Sequence, residues 1–140
     1  MQADLTDPID VLARTIWGEA RGEPSGGMEA VACVILNRAR HPRWWGGSIV
    51  EVCLKPWQFS CWNAGDPNRP KLLSVTGADP AFTAALAIAD RAVRGELPDC
   101  TNNADSYVDL RVARPAWAEQ NKPVAVIGNQ TFFRLELPAP

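Results

Sequence analysis

Two helical repeats separated by a single break dominate residues 8 to 40 of this 140-residue chain. Ile9, Leu12, Ala13 and Ile16 recur at helical spacing, and so do Met28, Val31, Ala32, Ile35, Leu36 and Ala39. Asp7-Pro8 marks the first start, with Asp7 as N-cap and Pro8 at the first helical position. Cys33 and Val34 widen the apolar face of the second helix to much of its circumference, which predicts a central position. Asn37 and Arg38, near its end, read as polar exceptions that cap the helix or face solvent, and Asn37 could instead orient a catalytic loop. In the break, Gly22 loosens the backbone and Pro24 moves Glu23 out of the α region. Ser25-Gly26-Gly27 then reads as a turn, with Ser25 a candidate cap.

The break carries Trp17-Gly18-Glu19-Ala20-Arg21-Gly22-Glu23-Pro24. Glu19 is expected at a helix C-terminus and Glu23 in the following turn. A carboxylate at a helix C-terminus meets the negative end of the macrodipole, and apolar neighbours such as Trp17 add desolvation. Both disfavour the ionised form, and a carboxyl kept partly protonated can act as a general acid. The same spacing also describes a solvated helix end with local ion pairs, which are common and weak.

Further along, His41 to Gly47 reads as a loop, and Ser48 with Glu51 forms a capping-box pattern for a short helix to Leu54. Lys55-Pro56 ends it. Trp57-Gln58-Phe59-Ser60-Cys61-Trp62-Asn63 mixes aromatic, amide and hydroxyl side chains without a period. Ala64 to Thr76, rich in Pro, Asn, Asp and Gly, reads as surface loop. Asp79-Pro80 repeats the start signal for a helix from Ala81 to Arg94, closed by Gly95. Ser106-Tyr107-Val108 reads as a short strand and Arg114 to Trp117 as a helical turn. Apolar runs on either side of Gly128-Asn129 predict a β-hairpin. The sum is one α+β domain over residues 1–140, mostly helical, with a small sheet from its C-terminal third.

Composition narrows the function. A net charge of −2 without a Lys/Arg cluster gives no electrostatic footprint for nucleic acid. No apolar run reaches the ~18 residues of a membrane span. The N-terminal residues, Met1 to Asp7, place acid where a secretory leader needs base, and no apolar stretch follows. The four cysteines show no CxxC spacing, and with one histidine a zinc site is not expected. Cys33 reads as buried and free, and any disulfide is to be sought among Cys53, Cys61 and Cys100. Six tryptophans against one tyrosine suit core packing, and two or three of them suit the flat faces of sugar rings.

These segments together resemble the SleB-type cell-wall hydrolases, the spore-cortex lytic enzymes and their phage and proteobacterial relatives. The resemblance lies in Ala13 to Glu23, Ala30 to Arg38, Lys55 to Trp62, the Ala85-to-Pro98 helix and its exit, and Ile127-Gly128-Asn129. It runs over roughly residues 9 to 134, with the motifs in one order. It implies a lysozyme-like fold and cleavage of the peptidoglycan glycan strand. Glu19 matches the family's catalytic glutamate, and Gln58, Phe59 and Ser60 match a motif that lines its cleft. Tyr107 matches a tyrosine that many relatives carry in Ala-Thr-His-Tyr; here the stretch is Ala104-Asp105-Ser106-Tyr107. The closing Ile-Gly-Asn-His of relatives is here Ile127-Gly128-Asn129-Gln130. Both departures remove an imidazole and leave a glutamate mechanism untouched.

The expected reaction is that of a lytic transglycosylase, with Glu19 as the acid and base, no metal and no cofactor. Gln58, Ser60 and Tyr107 are expected to hydrogen-bond sugar, Phe59 and Trp62 to face its rings, and Glu23 to serve as backup acid or to orient Arg21 or the loop. A hydrolytic muramidase would recruit Asp66, Asp79 or Asp105 as second carboxylate. A zinc amidase needs more histidines, and a Cys–His endopeptidase finds Cys33 and His41 poorly placed. A non-catalytic glycan-binding module or virion component would keep the aromatics without needing Glu19. The expected partner is peptidoglycan, met by a monomer without membrane insertion. A phage or prophage lysin or a tail-associated enzyme would fit this form, and a trimmed secreted protein would look the same.

Overall fold

Asp7 Oδ1 accepts the Ile9 N–H at 3.0 Å and starts α1, Pro8–Ala20. The coordinates are those of a computed structural model that describes residues 2–24 and 26–138. The capping role considered for Ser25 lies outside the described residues. α2 spans Gly27–Arg40 and α3 Ile49–Leu54, followed by a 3-10 turn at Ser60–Trp62. Then come α4 (Asn68–Ser74), α5 (Pro80–Val93), β1 (Ser106–Val108), α6 (Ala116–Gln120), β2 (Ala125–Ile127) and β3 (Gln130–Phe133). The α+β class with a small antiparallel sheet is as the sequence predicts.

α1 is the hub. It packs against α2, α3, α4, α5 and the 3-10 turn. Val11, Leu12, Ala13 and Ile16 are fully buried, and Trp17 meets Phe82 of α5 edge to face at 6.5 Å. Asp79 caps α5 by accepting the Phe82 N–H at 3.0 Å. α5 closes with Gly95 at φ +75°, where Gly95 N–H donates to Ala92 O and Glu96 N–H to Arg91 O. That is a Schellman motif, and its left-handed residue explains why glycine stands there.

The three strands lie in the order β1-β3-β2, all antiparallel, with Tyr107 opposite Phe132 and Val126 opposite Thr131. Phe132, Ala104, Ala30 and Val34 form the layer that seats this sheet on α2.

Two expectations need correction, and the cysteines are as expected in being free. Residues 64–76 are not all surface loop, because α4 occupies Asn68–Ser74 and Leu72 is fully buried. Asp66 Oδ1 accepts the Asn68 N–H at 2.8 Å, and Pro70 sits in the first turn, where its missing N–H is no loss. Asn37 and Arg38 do not face solvent. Both are buried and bond into the segment before β1, Asn37 Nδ2 to Ala104 O at 2.9 Å and Arg38 Nε to Asp105 O at 2.7 Å. The four cysteines are free thiols, and the pair that approaches is Cys33 and Cys100, with sulfurs 3.9 Å apart. At Ser48 the cap is half reciprocal. Ser48 Oγ accepts the Glu51 N–H, while Glu51 Oε1 reaches the N–H of Gly47.

Candidate functional site

Glu19 stands in the last turn of α1, half-buried, on the wall of a cavity of about 410 Å³. β1 places Tyr107 opposite it. The Tyr107 hydroxyl donates to Glu19 Oε1 at 2.7 Å, and the Tyr107 ring rests on Phe132 at 5.7 Å. Burial, then the Glu19 charge and the hydrogen bond to it, push the Tyr107 phenol well above its usual range, against a smaller opposing pull from Arg38. Cys61 lies beside the carboxylate. Its thiol is likewise pushed up, by burial first and then by Glu19. Gly18 makes this approach possible, since a Cβ there would meet Cys61 Cβ and Sγ at 3.0 Å and Leu72 Cδ2 at 3.1 Å.

The second wall is built on Arg38. Its guanidinium donates through Nε to Asp105 O and through Nη1 to Gln58 Oε1 at 3.4 Å. It lies over Trp45 at 5.2 Å, and over Trp44 and Phe59 at 5.8 Å each. Burial lowers the Arg38 pKa, opposed by Tyr107, Asp105 and Glu136. Its intrinsic value is high enough that it remains a cation. One buried guanidinium thus holds two aromatic rings of the cavity, Trp44 and Phe59, together with the Gln58 amide, and Trp45 behind them.

The third wall is the C-terminal segment. Asp105, fully buried, accepts the Leu135, Glu136 and Leu137 N–H groups at 2.9–3.1 Å and the Ser106 hydroxyl at 2.8 Å. This brings Leu135 and Glu136 to the cavity, where Glu136 Oε2 accepts the Trp44 indole N–H at 2.6 Å. Trp117 of α6 completes the lining and packs edge to face on Phe133 at 5.3 Å.

Of the residues singled out from sequence, Glu19, Gln58, Phe59 and Tyr107 line this cavity. Ser60, Trp62 and Glu23 do not. Ser60 is exposed at the start of the 3-10 turn, and Trp62 donates its indole N–H to Thr15 Oγ1 at 2.9 Å and borders a separate depression. Glu23 Oε1 accepts the Asn129 N–H at 3.1 Å, tying the α1–α2 turn to the tip of the hairpin. Arg21 lies over Trp17 at 4.1 Å and donates to Asn68 Oδ1 at 2.7 Å. The carboxylates considered as partners for Glu19 are engaged elsewhere: Asp66 and Asp79 at helix starts, Asp105 under the C-terminal wall. Sequence reasoning missed Arg38, Trp44, Ser106, Trp117, Leu135 and Glu136. The all-round apolar pattern of α2 was the available signal for a buried Arg38. Nothing local marked Glu136.

Among the described residues no group of three or more His, Cys, Asp or Glu side chains could hold a metal ion, and no helix is long and apolar enough to cross a membrane.

Residues 22–133 match the family model described as cell wall hydrolase. Glu19 precedes that stretch, and Leu135 and Glu136 follow it. The chain is 37% identical over 124 residues to the spore cortex-lytic enzyme of Bacillus subtilis, covering 89% of this chain and 36% of that protein. It is 32% identical to the spore cortex-lytic enzyme of Halalkalibacterium halodurans, covering 89% of this chain and 34% of that one. The chain therefore spans little more than a third of the length of these relatives. Among solved structures it superposes on the catalytic domain of the germination-specific lytic transglycosylase SleB from Bacillus anthracis, with a TM-score of 0.67 and 29% identity over 89% of this chain and 92% of that one. The Bacillus cereus SleB catalytic domain gives the same TM-score at 27% identity, covering 89% of this chain and 88% of that one. The fold is lysozyme-like, and the chain belongs to the cell wall hydrolase family.

Proposed function

We propose that this chain cleaves the glycan strand of peptidoglycan as a lytic transglycosylase, with Glu19 as its single acid and base. The observation that carries the reading is the setting of the Glu19 carboxyl. It lies in a cavity walled by Phe59, Trp44, Trp117 and Tyr107, with Tyr107 hydrogen-bonded to Oε1. The relatives' printed descriptions, spore cortex-lytic enzyme and lytic transglycosylase, support the same substrate and chemistry.

In the reaction, protonated Glu19 gives its proton to the β-1,4 oxygen between N-acetylmuramic acid and N-acetylglucosamine. The C1–O bond breaks, its electron pair leaves with that oxygen, and positive charge develops at C1. Glu19, now a carboxylate stabilised by the Tyr107 hydroxyl, takes the proton of the muramic acid C6 hydroxyl. That oxygen closes on C1 to give the 1,6-anhydro ring, and Glu19 is protonated again. No water is consumed. Gln58 offers its amide to sugar polar groups while Arg38 holds it, and Phe59 presents apolar surface to a ring face. Ser60, Trp62 and Glu23 act from outside the cavity, Glu23 by holding the hairpin tip. The chain works at the bacterial cell wall, as a monomer.

One observation favours a second reading. Glu136 places another carboxylate on the same cavity, as a hydrolytic muramidase requires. Its Oε2 is bonded to the Trp44 indole, which argues for a positioning role instead. The test is release of soluble fragments from purified peptidoglycan. Glu19→Gln is expected to lose at least about 10²-fold of the rate, the ordinary contribution of general acid catalysis, with its melting temperature kept. A Glu19→Gln protein that still solubilises peptidoglycan contradicts the assignment.

A further inference from the structure

Trp57 is 81% exposed and adopts φ +68°, the left-handed region that a bulky side chain avoids. It is the third residue of the turn Lys55-Pro56-Trp57-Gln58, closed by Gln58 N–H to Lys55 O at 3.2 Å. With Pro at the second position and positive φ at the third, this is the pattern of a type II turn, where Gly or Asn ordinarily stands third. Among the described residues, the two other non-glycine residues at positive φ are Asn102 and Asn103, which tolerate it. Strain of this kind points to function when the strained group has no packing role. Trp57 has little, because most of its ring faces solvent.

The ring also stands on a continuous path. Trp44 belongs both to the Glu19 cavity and to a neighbouring depression of about 430 Å³. That depression is based on Trp45, Val50 and Leu54 and edged by Arg43, Glu51 and Lys55. Leu54, Lys55 and Pro56 pass it on to a third depression, of about 270 Å³, bordered by Trp57 and Trp62. Among the described residues, neither Arg43 nor Lys55 has a carboxylate within 4.0 Å. The groove therefore offers flat aromatic faces at Trp44 and Trp57 and two unneutralised cations between them.

From this we propose that the groove from Trp44 to Trp57 is a distal subsite for the same glycan strand, taking sugar rings removed from the scissile bond. Trp57 supplies a stacking face for a pyranose ring. Arg43 and Lys55 meet the carboxylates of the stem peptides. This rests on the peptidoglycan reading above and extends it, since the Glu19 cavity holds only a short part of a long strand. A strained turn that served only to aim Gln58 would do as well, or better, with glycine at position 57.

The test uses Trp57→Gly and Trp57→Asn, both of which suit the turn, in a Glu19→Gln background that does not consume the ligand. Binding is measured to purified long glycan strands and to a peptidoglycan tetrasaccharide. The expected result is a melting temperature equal to or above that of the parent, about five- to tenfold weaker binding of long strands, and unchanged binding of the tetrasaccharide. Unchanged binding of long strands, or an equal loss for both ligands, overturns the distal subsite while the peptidoglycan reading stands. A parent that binds neither ligand overturns both.

Discussion

The Tyr107 hydroxyl and Glu19 Oε1 are 2.7 Å apart, although 88 residues separate them in the chain. The bond joins the end of α1 to the first strand of the sheet, so the two layers of the fold meet at the proposed acid. It is also open to direct measurement, because Tyr107 is the single tyrosine. Burial and the adjacent carboxylate disfavour the phenolate. Folded Tyr107 therefore keeps its proton above pH ~10, where the unfolded chain loses it. Above that pH the folded state binds more protons than the unfolded, so stability falls as pH rises. Tyrosinate absorbance should be absent at pH 10 in the folded chain and appear only at higher pH, with unfolding. Glu19→Gln should bring the onset lower, because it removes the charge and leaves the burial. A normal tyrosine titration in the native chain would show that the bond does not form in solution.

The C-terminal wall hangs on Asp105. Asp105→Ala would leave the Leu135, Glu136 and Leu137 N–H groups without their acceptor. An unsatisfied buried donor costs about 1–3 kcal/mol, and of the three only the Leu137 N–H is fully buried, so the variant should lose about 1–3 kcal/mol in urea unfolding. Peptidoglycan cleavage should fall with it, since Leu135 and Glu136 are no longer held at the cavity. Unaltered stability would mean that this segment is not pinned as described.

Thiol reactivity should separate the cysteines by burial. Cys100 is exposed, and Cys33, Cys53 and Cys61 are buried. Burial pushes Cys33 and Cys53 up to about 12, so almost none of either is thiolate near neutrality. With iodoacetamide at pH 7.5 the native chain should take up one label, at Cys100, and the other three only after unfolding. Ready labelling of Cys61 would contradict its burial beside Glu19.

Much of the fold was legible because its signals are local. Asp7-Pro8 and Asp79-Pro80 state where helices begin, Gly95 states where one ends, and the residues around Gly128-Asn129 state a hairpin. α4 was hidden because its flanks are crowded with Pro, Asn and Gly, and its single buried anchor, Leu72, gives no period. The site divides the same way. Glu19, Gln58, Phe59 and Tyr107 stood out through family resemblance, and the structure brings all four to one cavity. Arg38 was misjudged because a charged residue near a helix end is ordinarily solvated. Its burial depends on the Asp105 carbonyl, 67 residues away, which accepts its Nε–H. Glu136 and Leu135 were invisible because only the buried Asp105 carboxylate turns the chain end toward the site.

The central claim is that Glu19 alone moves both protons, with a muramic acid hydroxyl as the nucleophile. Mass spectrometry of the soluble products from purified peptidoglycan tests it most directly, with Glu19→Gln run alongside. The native chain should release 1,6-anhydro-muropeptides and Glu19→Gln none. Reducing muropeptides, heavier by one water, would contradict the claim and move attention to Glu136; freed stem peptides would move the reaction to amide chemistry altogether.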